Sequence, residues 1–134
     1  MATPMIGRSK APLVVIAHLD GRRSQGYVFD FLPTKERCRI FPSATAKQEE
    51  GAEVNVRELK AIFFLRDPAD GAPPAAPAGR RKLEVIFADK ERLEGTTEGY
   101  SKDRMGFFMV PEDPTGKIIR VFVVNQNVTS VKWV

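Results

Sequence analysis

Two stretches of the chain, DGRRSQGYVFDF at Asp20 to Phe31 and DKERLEGTTEGY at Asp89 to Tyr100, read as two copies of one hairpin. A shift of 69 positions carries the first onto the second without a gap, placing Asp20 on Asp89, Arg23 on Arg92 and Gly26 on Gly95. The correspondence continues outward: Phe31 falls on Tyr100, Ile40 on Met109, Pro42 on Pro111, Val54 on Val123, Ile62 on Val131 and Phe64 on Trp133. Like chemistry recurring at one fixed period marks a duplicated structural unit.

Each copy reads as strands. LVVIAHL and LEVIFA are apolar and β-branched, and Glu84 interrupts the second as expected of a half-buried strand. Asp20-Gly21 is the dipeptide that a tight two-residue hairpin turn prefers, because both central residues need positive φ. Lys90 takes the glycine's place in the second copy, so that turn either strains by up to roughly 1 kcal/mol or opens. A looser second tip is the expectation.

Gly26 and Gly95 sit in mid-strand, where glycine marks a bulge or sharp bend that lets a small sheet curl. A charged loop follows in each copy, then a third strand ended by proline (CRIFP, FFMVP) and a fourth (AEVNV, IRVFVV). After it come a turn (RELK, NQNV) and a last strand (AIFFLR, SVKWV). Five short antiparallel strands with a turn before the last predict an SH3-like or Sm-like small barrel. The fold class expected is therefore all-β, with two tandem pseudo-symmetric five-stranded barrels packed together. Residues 1–12 are read as a flexible N-terminus, 13–67 as the first barrel, 68–79 as a Pro/Ala/Gly linker and 80–134 as the second barrel. Each copy is marginal in size for independent folding, which is why the two are expected to bury surface against each other.

The 134 residues are 43% hydrophobic and 28% charged, the balance of a globular protein rather than a disordered one. A net charge of +4, from 21 basic and 17 acidic residues, favours an anionic partner without demanding one. One cysteine, Cys38, and one histidine, His18, exclude disulfides, thiolate or imidazole metal clusters and redox pairs, and leave a carboxylate-only metal site open. No apolar run reaches the roughly 18 residues of a membrane helix, so no membrane insertion and a cytoplasmic location are expected.

The stretches VVIAHLDGRRSQGYVFDF, LKAIFFLRD, LEGTTEGY, RMGFFMVPEDP and RVFVVNQNVTSVKWV resemble an uncharacterised bacterial family of tandem small β barrels. That resemblance covers nearly all of the chain after Pro12. It implies a regulatory or adaptor role, since such domains occur alone or beside signalling domains, and it assigns no activity. Leu19, Asp20, Gly21 and Gly26 also resemble the first motif of Sm-like RNA-binding proteins, although the base-binding Met-Asn loop and the late Arg-Gly motif of those proteins are absent. GRRK at Gly79 to Lys82 resembles part of the arginine stretch with which PilZ domains bind cyclic di-GMP. The arginine spacing and the Asp/Asn-x-Ser-x-x-Gly motif of PilZ domains are missing.

No catalytic constellation stands out. Strand alternation keeps His18 from converging with Ser24 and Asp20, and Cys38 reads as a core residue. The carboxylates of EEGAE at Glu49 to Glu53 and of PEDPTG at Pro111 to Gly116 read as solvated turns. Basic residues cluster at Arg22 and Arg23, at Lys35, Arg37 and Arg39, and at Arg80 and Arg81, and are the candidate anion- or nucleotide-binding set. Tyr27, Phe29 and Phe31 share one strand face by period-two spacing. Adjacent aromatics, Phe63 beside Phe64 and Phe107 beside Phe108, must point to opposite sides. Phe63 and Phe108 are therefore the candidate protein-binding residues, or else the seam between the copies. The function expected is a non-enzymatic adaptor that binds a protein partner through barrel faces or edges and needs no cofactor. Nucleic-acid or cyclic-dinucleotide binding through the basic loops is the alternative.

Overall fold

The computed structural model describes residues 13–28, 31–43, 48–66, 81–97, 99–112 and 117–134. The N-terminus 1–12, the linker 68–79, Phe29, Asp30 and Arg80 lie outside the described residues.

The first copy supplies β1 (Leu13–Ala17), β2 (Arg23–Val28), β3 (Arg37–Phe41), β4 (Ala52–Asn55) and β5 (Ala61–Leu65). The second supplies β6 (Arg81–Phe87), β7 (Arg92–Thr97), β8 (Gly106–Pro111), β9 (Ile118–Val124) and β10 (Val128–Trp133). Short 3-10 turns at Val56–Glu58 and Asn125–Asn127 precede the two last strands, at the turns read from RELK and NQNV.

The repeat holds down to individual bonds. Leu13 pairs with Tyr27 as Lys82 pairs with Thr96, and Val14 pairs with Phe64 as Leu83 pairs with Trp133. The amide of Val56 donates to the carbonyl of Glu36, and that of Asn125 to Met105, again 69 positions on. The hairpin tips match too, since His18 and Phe87 donate to the carbonyls of Arg22 and Glu91. Gly26 and Gly95 lie where β2 and β7 leave their first partner for the next strand. A Cβ on Gly26 would stand 2.8 Å from the Phe41 carbonyl oxygen, and one on Gly95 2.2 Å from that of Val110. Glycine is required there because the neighbouring backbone fills the side-chain space.

The ten strands among the described residues belong to one antiparallel sheet, ordered β10-β6-β7-β8-β9-β5-β1-β2-β3-β4. Where the sequence predicts two closed barrels packed together, the sheet runs on from one copy to the other through β5 and β9, and among the described residues it stays open, with β10 and β4 at its edges. The joint sets Ala61 opposite Val123, Ile62 opposite Phe122 and Phe63 opposite Val121. The joining stretches Ala61–Phe64 and Val121–Val124 are apolar on both faces, the pattern of strands covered on two sides. Side chains alternate accordingly: Ile62, Phe64, Phe122 and Val124 enter one core with Val14, Ile16 and Val28. Ala61, Val121 and Val123 enter the other with Leu83, Val85 and Phe87.

The two cores are filled differently. In the first, Cys38 is small, and the space is taken by Phe122 from the other copy, whose ring lies 4.9 Å from Phe31 and 5.1 Å from Phe108. In the second, the residue equivalent to Cys38 is Phe107, whose ring lies 4.9 Å from Tyr100, the equivalent of Phe31. The first copy borrows an aromatic where the second has its own. The joint is asymmetric in the same sense, for β9 covers β5 while β10 stands at the edge of the sheet.

Lys60 ties the copies together. Its side chain is only 5% exposed, yet Nζ bonds Asp89 Oδ2 at 2.8 Å and also the Glu91 carboxylate, both on the second hairpin. Burial pulls the Lys60 pKa down, but the two carboxylates outweigh it, so the group titrates above its ordinary value. The second tip is thus anchored rather than loose, contrary to expectation. Lys90 adopts φ 76° instead of opening the turn, and the Glu91 amide donates to Asp89 Oδ1 within the tip. In the first copy the place of Glu91 is taken by Arg22, which pairs with Asp20 on the exposed tip itself.

Candidate interaction edge

Among the described residues no strand pairs with the outer edge of β10, which is six residues long. The Val134 amide donates to the Lys82 carbonyl on the β6 side. Antiparallel ladders alternate, so the backbone groups of Val131 and Trp133 point to the open side. Their equivalents in the first copy, Ile62 and Phe64, are covered by β9: Phe64 is 4% exposed, whereas Trp133 is 43% exposed. Val134 beside it is 72% exposed. The Arg81 guanidinium stacks on the indole, 4.0 Å from the ring centroid, and Tyr100 stands 6.3 Å away on an inner strand's loop. These contacts orient the tryptophan while leaving its outer side open.

The opposite edge is built to resist pairing. β4 is four residues long, its Ala52 and Glu53 are exposed, and Glu53 faces Arg37 at 3.7 Å. Short, charged edges are how sheets discourage strand addition.

The predicted site residues fall elsewhere. Phe63 packs half-buried against the second core, with Arg23 5.6 Å above its ring. Phe108 packs against the first, ringed by Phe31, Phe64 and Phe122 and covered by Arg120 at 4.1 Å. Of the two roles given to this aromatic pair, the structure places both residues at the seam. Arg120 is itself desolvated over Phe64 and Phe108, which lowers its pKa from the ordinary arginine value. Phe31 joins the first core, and Cys38 is buried there as expected.

The basic residues do not converge. Arg22 sits on Asp20, with Nε to Oδ2 at 2.6 Å, and the Arg22 amide and side chain hold the Asp20 carboxyl below its ordinary value. Arg37 faces Glu53, Arg39 Nη2 reaches the Gly51 carbonyl at 3.5 Å, and Lys35 is on an exposed loop. Arg81 serves Trp133 on the far side of the sheet. Among the described residues, no group of three or more His, Cys, Asp or Glu side chains is placed to hold a metal ion. No helix among them is long and apolar enough to cross a membrane. Trp133 escaped the functional reading because its equivalent, Phe64, is a core residue. The signal was present in SVKWV, which alternates where AIFFLR does not.

The fold and edge together define an all-β repeat protein, two five-stranded copies fused into one open sheet. The chain belongs to DUF6982, a family of unknown function whose model matches residues 10–134. Neither a curated protein nor a solved structure matches it.

Proposed function

We propose that the chain is a non-enzymatic regulatory adaptor whose protein partner adds a strand to the outer edge of β10. The observation that carries this reading is the open edge itself, with Val131 and Trp133 directing backbone groups outward beside an exposed indole. Strand addition draws affinity from main-chain hydrogen bonds and specificity from alternate side-chain contacts, and this edge offers both. Each half is read as an SH3-like or Sm-like barrel left open, supported by the meander, the 3-10 turn and the return of the last strand to the first. The phosphate-binding alternative has less behind it, since Arg22 and Arg37 face carboxylates.

The test is affinity capture with the full chain, comparing wild type with Val131→Pro, Trp133→Ala and the remote control Lys102→Ala. Proline removes an outward donor that no strand uses, so the fold is retained. A protein held by wild type and control but lost at least tenfold from both edge variants supports strand addition. Equal recovery on all four, with unchanged circular dichroism, overturns it. Low-salt binding of single-stranded RNA or cyclic di-GMP would shift the assignment to the basic loops.

A further inference from the structure

The copies treat their outer faces differently. Where β1, β2 and β5 turn away from the first core, the hairpin of β6 and β7 closes over them and leaves a cleft of about 230 Å³. Its floor is Val15, Phe63, Leu65, Leu93 and Ile118, all half-buried. Arg23 and Arg92, equivalent residues of the two copies, stand at its mouth.

The repeat supplies an internal control. The positions equivalent to Val15, Phe63, Leu93 and Ile118 are Glu84, Lys132, Ser24 and Glu49, and only Leu65 has an apolar counterpart, Val134. The fold accepts polar residues at these places, so the apolar set belongs to the recess. Packing uses part of it, for Phe63 and Ile118 lean on the second core. The space that remains is a recess open to solvent on one side.

Charge at the mouth selects the ligand's head. Arg23 has no carboxylate partner among the described residues, and its guanidinium lies over the Phe63 ring. Arg92 reaches Glu84 only at 3.5 Å and is 69% exposed. Glu91 also lines the cleft, but its carboxylate is held by Lys60. The free charge is therefore positive, and a guanidinium fork suits a carboxylate.

We infer that this cleft binds a small amphipathic carboxylate, with its apolar body on Phe63 and Ile118 and its carboxylate on Arg23. The volume is below the range of about 300–1,000 Å³ for drug-sized sites, which sets the whole ligand, carboxylate included, at about ten non-hydrogen atoms. Octanoate has that size.

The test is a titration of the full ¹⁵N-labelled chain with octanoate and with its neutral analogue octanamide, followed by amide shifts. Saturable octanoate shifts concentrated at Val15, Phe63, Leu93 and Ile118 are expected. Octanamide and the Arg23→Gln variant each bind about fivefold more weakly, as expected for a partly solvated ion pair, while Lys102→Gln binds as wild type. Val15→Glu, which installs the residue of the other copy, abolishes the shifts; if it fails to fold, Arg23→Gln decides. Equal affinity for octanoate and octanamide, shifts spread to Leu32 and Trp133, or no saturable shift overturns the assignment.

Discussion

Truncating Phe122 to alanine probes the joint from one residue. The side chain belongs to the second copy but is wholly buried in the first copy's core, packed edge-on to Phe31 and Phe108. Removing a buried phenylalanine costs about 3–5 kcal/mol, through lost transfer free energy and the cavity left behind. Against a total of about 5–15 kcal/mol for a domain, that is a large fraction. With a urea m-value of about 2 kcal/mol/M, a loss of about 4 kcal/mol moves the midpoint down by about 2 M. Two probes separate the copies: Trp133, the only tryptophan, reports the second copy, and far-ultraviolet circular dichroism reports both. If β5 and β9 bind the copies into one cooperative unit, both curves shift together. A Trp133 transition that stays at the wild-type midpoint while circular dichroism becomes biphasic would refute the reasoning.

Other consequences are measurable in the same way. Lys90→Gly relieves a side chain held at φ 76° and is expected to stabilise by about 0.5–1 kcal/mol; a lower midpoint contradicts the strain. Gly95→Ala drives a methyl against the Val110 carbonyl and should cost about 1–3 kcal/mol, whereas an unchanged melt would mean the strand can move aside. The Lys60 contact has a pH signature. Lys60 bonding holds the Asp89 carboxyl below its ordinary value, so its stabilisation is present above the unfolded carboxylate pKa near 4 and is lost as pH falls through the depressed folded value. Lys60 is raised, so its contribution is present below about 10.5 and lost as pH rises through the higher folded value. Lys60→Met should flatten the stability profile at both ends, and parallel profiles for variant and wild type would remove the bridge from the account.

The duplication was legible because turn chemistry and mid-strand glycines act locally: Asp20-Gly21, Gly26 and Gly95 announce their backbone needs in single letters. The five strands of each copy, and the turn before the last, followed from the same signals. The fusion of the copies into one sheet was not read, although AIFFLR and IRVFVV hinted at it by lacking the polar alternation of a strand with one wet face. Core complementarity was hidden further, since the exchange of Cys38 for Phe107 means something only once Phe122 is known to arrive from across the joint. Nothing between Leu59 and Ala61 marks Lys60 as buried and paired, because its carboxylates lie on the other copy's hairpin. Among the basic residues, the Glu53 partner of Arg37 is brought in by β3–β4 pairing that the linear sequence does not display, whereas the Asp20 partner of Arg22 lies two residues away in plain view.

The account turns on β5 and β9 being neighbours. Val124 donates to the Lys60 carbonyl, so with regular alternation Phe63 and Val121 form a pair without mutual hydrogen bonds, whose Cα atoms approach to about 4.5 Å. A nuclear Overhauser measurement on the intact chain should show a strong cross-peak between their Hα protons. Its absence, with the ladders inside each copy intact, would mean that the two copies do not share a sheet.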